Sequence, residues 1–499
     1  MTTTTPLRIT LALALVTLLA VSSSGCSDDT NSTPADGGGD ATRADGTGAD
    51  GGTPTLPETY TFASRFVSGE SSVVHSGQSG RHLLIEEIKR FIGELTDTSY
   101  ASPKAGDVVA DLMFFYDFKN AGGTEGEKIK FAPAGGGSAK QATFGDVGEI
   151  VSLHEKMPDI ESVVGWTAGT AGWGDGSVKP SDLVKQWFGA VETLVLARIN
   201  DANIPKDPSG KDIASPYLSA DGIDYEELIV KFLLGAVALS QAADKYLDDD
   251  KDGQGLLSDN TKAVAGKPYT ALEHAWDEGF GYFGAAHDYS AYTDEEIAGA
   301  GGRDGYKNGW YDSDADGKVD LGREINWGAS VNAGKRDLGA KAKTDFSKQA
   351  FEAFVAGRHL IRSIDGAPSS AQLDMLRGYR DAALGAWEKA IAATAVHYIN
   401  DVLQDMAKFG NTDYSFASHA GHWSELKGFT LSLQFNPRSP LTAAKLGELH
   451  QKIGDKPVLP GASNVAEYKT ALLAARDILK DAYGFDAQNV GDADGNNGW

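Results

Sequence analysis

Cysteine is almost missing from this chain: Cys26 is the only one among 499 residues. No disulfide can form within the chain, and the body of the protein has no thiolate to offer as nucleophile or metal ligand. Long apolar runs are also missing. After Val21, no stretch approaches the roughly 20 apolar residues that a membrane-spanning helix needs. Basic residues are in short supply, 45 against 70 acidic ones, for a net charge of −25. Such a surface repels nucleic acid and anionic lipid, and it suits cations or basic ligands. Three catalytic signatures are absent as well. There is no His-Glu-x-x-His, as a common zinc peptidase would need, and no Gly-x-Ser-x-Gly nucleophile elbow. Gly77-Gln78-Ser79-Gly80 has neither the spacing nor the following lysine of a phosphate loop, and it reads as the turn that opens a helix.

What is present begins with an export signal. Arg8 precedes an apolar and small-residue run, Ile9 to Val21, too short to span a bilayer and followed by small residues. Ser22-Ser23-Ser24-Gly25 leads to Cys26 in the manner of a lipoprotein cleavage site, with Ser23 where leucine is usual. The expectation is a signal peptide over 1–25, lipidation at Cys26, and a tether over 26–57. The tether is Asp, Gly, Thr, Ala and Pro with too little apolar surface to fold. Residues 58–499 then form the body, displayed in the cell envelope, periplasmic or surface-exposed, and held to a membrane by its lipid.

Helical periodicity dominates that body. Leu84, Ile85, Ile88, Phe91, Ile92 and Leu95 fall at three- and four-residue spacings, one face of an amphipathic helix. The pattern recurs over Leu183–Ile199, Tyr225–Tyr246, Phe346–Ile364, Ala371 to about Phe409, and Val465–Tyr483. Alternation at Tyr60–Phe66 and Phe429–Phe435 predicts short extended segments. Long Gly- and Asp-rich loops are expected over Ala121–Ala142 and Ala298–Gly339. The fold class is all-α, one large helical domain, with a division into two related bundles at about 58–300 and 301–499. That division rests on an internal echo. Trp276-Asp277-Glu278-Gly279-Phe280-Gly281-Tyr282 and Trp423-Ser424-Glu425-Leu426-Lys427-Gly428-Phe429 both read Trp-x-Glu-x-x-Gly-aromatic.

These blocks, with Tyr60-Thr61-Phe62 and Ser76-Gly77-Gln78-Ser79-Gly80-Arg81, resemble the bacterial lipoprotein family catalogued as domain of unknown function 4856. That family implies no particular activity. A more distant likeness is to the imelysin-type proteins, which implies an exported double helical bundle with a Gly-x-His-x-x-Glu motif tied to metal. His422 and Glu425 fit the latter half of that motif, but Gly421 stands one place late.

The candidate chemistry is cation binding. Asp312, Asp314, Asp316 and Asp320 alternate in a loop turned by Gly317, with Val319 as its apolar pin, the arrangement by which carboxylates converge on calcium. Arg323 replaces the glutamate of a regular calcium loop, and Glu324 follows it. Asp248, Asp250, Asp252 and Asp259 repeat the spacing more loosely. On a helix, His274 and Glu278 share a face, as do His422 and Glu425, and such pairs on facing helices build metal sites such as iron or zinc centres. His359 and His397 are available to complete one. The competing reading has both glutamates bonding backbone while the tryptophans pack. The expected function is an exported lipoprotein that binds metal or a metal-bearing ligand, with calcium-stabilised loops. Its alternatives are an imelysin-like metallopeptidase and a structural or adhesive envelope protein.

Overall fold

The amphipathic helices of this chain bury their apolar faces against a few central helices hidden on nearly every side, so they pack in layers. The computed structural model describes residues 56–120, 127–201 and 203–499. The expected signal peptide, Cys26 and most of the expected tether, up to residue 55, lie outside the described residues. The first half contributes α1 (Ser76–Gly93), α2 (Asp107–Tyr116), α3 (Phe144–Val147), α4 (Pro180–Asp201), α5 (Tyr225–Leu233) and α6 (Ala271–Phe283). Then come α7 (Asp294–Ile297), α8 (Gly328–Gly339), α9 (Phe346–Ser363), α10 (Ser370–Ala407) and α11 (Phe416–Ser432). The chain ends on α12 (Ala443–Ile453), α13 (Val465–Tyr483) and α14 (Ala487–Val490). The fold is all-α. Among the described residues there is no strand, only isolated bridges.

The axis is α10, 38 residues long, or about 57 Å at roughly 1.5 Å per residue. Its N-terminus is fixed by a capping box of Ser369 and Gln372, and its middle is buried nearly all round, from Ala383 to Met406. Helices α8, α9, α11 and α13 pack along it. On the other side of α11 lies α5, which continues without a break into two π-helical segments, Leu234–Leu239 and Ala242–Tyr246. Helix α6 packs against the second of these and against α9. Helices from both sides of residue 300 therefore interleave, and Thr55–Trp499 is one compact unit.

Two local expectations are corrected. Phe429–Phe435 is not extended: α11 runs to Ser432, and Phe429, Leu431, Leu433 and Phe435 are all buried. A helix hidden on every side can alternate by chance, because periodicity reports a face only when one face is wet. The loop expected over Ala298–Gly339 contains α8. Tyr60–Phe66 is extended only as far as one bridge, Ala63 to Ser71.

Candidate metal centre

The two echoed motifs perform the same packing task. Trp276 and Trp423 are fully buried, and each indole N–H is satisfied. Trp276 donates to the Phe354 carbonyl at 2.9 Å and Trp423 to the Tyr468 hydroxyl at 3.0 Å. The motif glycines admit a neighbouring helix. A methyl on Gly281 would lie 2.6 Å from His75 Cβ, and one on Gly428 would lie 2.7 Å from Lys231 Cβ. The motif glutamates also have matching partners. Glu425 accepts from Tyr398 Oη at 2.6 Å and pairs with Lys231 Nζ at 3.2 Å. Glu278 accepts from Gln78 Nε2 at 2.9 Å, and after burial its charge helps hold the Tyr246 hydroxyl far above the usual tyrosine range.

The two pairs do not meet at a shared site. Glu278 lies beside Tyr246 and Glu425 beside Lys231, and these sit on one continuous helical stretch, 246 − 231 = 15 positions apart. That is about 20 Å, far beyond the span of one ion's ligands. Within the first pair, His274 Nε2 lies 3.7 Å from Glu278 Oε2 while Nδ1 donates to the Val74 carbonyl.

His422 makes no bond with Glu425; both face α10, Glu425 through Tyr398 and His422 through Asp405. The His422 Nδ1 is bonded to Asp405 Oδ2 at 2.7 Å, which leaves Nε2 facing Asp401 Oδ2 at 4.0 Å. His397, one turn before Asp401 on α10, brings its Nε2 to the same Oδ2 at 3.2 Å. Two imidazoles from two helices thus flank one carboxylate oxygen, but the three ligand atoms do not all lie within 4.8 Å of one another, so an ion would have to draw them together. His359 makes no hydrogen bond or ion pair with this group. The side chains remain reachable, at 28% exposure for His397, 21% for Asp401 and 32% for His422. Burial raises the Asp401 carboxyl to about 6 against the pull of His422, and the Asp405 charge adds to the rise. Burial alone would lower His422, but the Asp405 bond and the charges of Asp401 and Asp405 raise it. Burial, aided by the charge of Arg336, lowers His397 to about 3, so its imidazole is neutral and able to act as a ligand. Asp401 and Asp405 were missed in the sequence although the signal was there: His397, Asp401 and Asp405 follow at four-residue intervals on one helix face.

The first acidic loop is partly assembled. Asp312, Asp314 and Glu324 each place an oxygen within 4.8 Å of the others. Asp312 turns the loop by accepting from the backbone N–H groups of Asp316 (3.1 Å) and Gly317 (2.8 Å), with Ala315 and Gly317 both at positive φ. Val319 is buried and pairs with the strand-like segment at Ser138–Lys140. Asp316 is shared with Asp314 on the Lys140 ammonium, at 2.7 and 2.9 Å. Asp320 points elsewhere, to Gln141, the Gly322 N–H and Arg323. The second loop gathers Asp248, Asp249 and Asp250, but arginines already neutralise it. Asp249 pairs with Arg377 at 2.7 Å and Arg380 at 2.5 Å, and Asp248 pairs with Arg438. Asp252 is outside that group, and Asp259 is spent on Thr261, accepting from its N–H and hydroxyl. No protein of known annotation and no solved structure matches the chain. Residues 202–298, which hold α5, its π-helical continuation and the Trp276 motif of α6, match the model of a family described as Domain of unknown function (DUF4856).

Proposed function

We propose that this protein is an exported, lipid-anchored binder of a transition metal ion or a metal-bearing ligand, with calcium bracing the 312–324 loop. The observation that carries this reading is the approach of His397 Nε2 and His422 Nε2 to one oxygen of Asp401. The Nδ1 bond from His422 to Asp405 supports it. A ligating histidine commonly gives its other ring N–H to a carboxylate, which fixes the tautomer and raises the basicity of the ligating nitrogen. An ion among these three groups would take over the role of the proton on His422. Nitrogen and oxygen donors without sulfur suit zinc or iron better than a soft ion. Binding is favoured over hydrolysis because Glu425, the nearest motif carboxylate, is already held by Lys231 and Tyr398 and is not free to act as a base.

The test is metal content by mass spectrometry on the purified chain, before and after mild chelation. The reading expects a tightly held transition metal that survives in Asp312→Asn and is lost in His422→Ala and Asp401→Asn. It expects calcium to be lost in Asp312→Asn alone. A chain with no transition metal after loading with zinc or iron(II) refutes the metal reading. Anchoring is tested separately: Cys26→Ser should move the protein from the membrane to the soluble fraction.

A further inference from the structure

The chain makes a hairpin before its first long helix. The Ser72 N–H donates to the Phe62 carbonyl and the Ser64 N–H to the Glu70 carbonyl, both at 2.8 Å, and Ala63 bridges to Ser71. Residues 60–75 therefore run out and back, and both arms return to one residue. The Tyr60 N–H donates to the His287 carbonyl at 2.8 Å, and His75 Nε2 lies 2.9 Å from His287 Nε2. Between the hairpin and the body is a cavity of about 780 Å³, lined by Phe62, Val73 and His75 from the one and by Gln141, His287 and Arg323 from the other. We propose that the hairpin is a lid on this cavity, that His287 is its clasp, and that acid opens it.

The clasp holds only while both imidazoles are neutral. One hydrogen lies between the two Nε2 atoms, with one ring donating and the other accepting. A proton added there would set two N–H groups head to head at 2.9 Å. One added elsewhere on either ring would leave a cation against an apolar wall. That wall is the Phe280 ring, 5.5 Å from the His75 ring and 6.2 Å from the His287 ring, with Tyr60 stacked on it at 3.6 Å. The charged groups around the pair offer little relief. His82 on α1, His274 on α6 and Arg323 all oppose a proton. Asp320 favours one on His75, but it is already bonded to Gln141, the Gly322 N–H and Arg323. Asp277 on α6 is taken by Arg358, Tyr60 and the Val74 N–H. Burial accordingly lowers His75 from 6.5 to about 4, and it lowers His287 well below the usual histidine range.

The direction of the response follows. In the closed lid the rings resist the proton, and in the open lid they take it at the ordinary value. Falling pH therefore favours the open form until the closed form itself titrates. For His75 alone, the open fraction should rise about a hundredfold between pH 7 and pH 4. The movement is at the base of the hairpin. Its far end stays fixed, because Arg65 donates to the Ile364 carbonyl at 2.7 Å and to Asn260 Oδ1 at 2.8 Å, and neither acceptor titrates. This inference stands apart from the transition-metal reading, since neither His397 nor His422 borders the cavity.

The test is hydrogen exchange of the purified full-length chain at pH 7 and pH 4, read by mass spectrometry and corrected for the intrinsic pH dependence of amide exchange. Peptides carrying the Tyr60 and Val74 amides should open about a hundredfold more at pH 4, while those of α10 stay protected. His75→Gln/His287→Gln keeps an amide bond between the two positions and removes their titration, so the acid response should disappear. A double variant that folds and still opens in acid overturns the clasp. Should that variant not fold, the parent decides alone: no change at Tyr60 and Val74, or a change matched in α10, overturns the inference.

Discussion

Removing the Arg358 guanidinium should cost more than almost any other single change in this protein. Its side chain is fully buried. Nε donates to Asp277 Oδ1 at 2.7 Å, Nη1 to Glu273 Oε1 at 3.1 Å, and Nη2 to Ser72 Oγ at 2.7 Å. The carboxylates are as buried as the arginine, and they tie the start of the body to α6. Asp277 also accepts from Tyr60 Oη and the Val74 N–H, and Glu273 closes the capping box of α6 with Thr270. In Arg358→Met, Glu273 keeps Arg65 at 3.4 Å, but Asp277 loses its buried cationic partner. Breaking a buried pair in this way costs about 3–5 kcal/mol. Burial already raises the Asp277 pKa, and without Arg358 it rises further. A carboxyl with a folded pKa above its unfolded one stabilises the fold at low pH and loses that contribution as pH rises through the folded value. The variant should therefore be more damaged at pH 7 than at pH 5. Urea denaturation followed by circular dichroism at both pH values is the assay. Adding Asp277→Asn to Arg358→Met should recover most of the loss at pH 7. A loss below about 1 kcal/mol, or a double variant no better than the single one, would refute the view that the carboxylates rather than the packing set the cost.

Other perturbations test the packing, the titration and the loop. Gly357→Ala would put a methyl 1.9 Å from Trp276 Cζ2. It should destabilise by about 3 kcal/mol, the upper end for overpacking, and lower the melting temperature in calorimetry. Lys427 is fully buried against the Gly454 carbonyl, and burial lowers its pKa to about 8. Between that value and the unfolded 10.5 the unfolded chain holds the proton and the folded one does not, so this group adds stability as pH rises from 8 to 10. The gain should approach about 3 kcal/mol and disappear from the urea midpoints of Lys427→Met. Calcium at 100 times its dissociation constant should add about 2.7 kcal/mol through the 312–324 loop. Chelation should then lower the melting temperature of the parent and leave that of Asp312→Asn unchanged.

The fold was legible where one helix face is wet. Val465–Tyr483 is bounded in the structure as its periodicity predicts, and Phe346–Ser363 differs from its expected limits by one residue. It failed where tertiary contacts override composition. Helix α8 contains Gly328, Ser330, Gly334 and Gly339, poor helix formers by intrinsic propensity. It stands because Ser330 Oγ bonds the Gly284 carbonyl and Asp337 accepts from the Phe346 and Ser347 N–H groups. The Gly284 carbonyl is 46 positions from Ser330, and even the Phe346 and Ser347 N–H groups lie beyond the helix itself. Phe429–Phe435 failed for the opposite reason, since a helix buried on all sides carries no periodic signal.

The candidate site shows the same division between what a chain encodes locally and what it encodes at a distance. The spacing of His397, Asp401 and Asp405 is a local property and could be read directly. That His422 rather than His359 would face them depends on the pairing of α10 with α11, which no spacing reveals. The second acidic loop is the sharper case. Asp248, Asp249 and Asp250 look like the start of a cation site when read alone. Their counter-charges, Arg377, Arg380 and Arg438, are 128 to 190 positions away. An aspartate run whose charge is balanced by guanidinium on several sides needs no metal, whereas Asp314 and Asp316 share the Lys140 ammonium, with the Arg323 guanidinium 4.0 Å from Asp314. The two loops share a spacing and differ in what lies across from them, and it is that opposing wall, not the motif, that decides which of them is free to bind an ion.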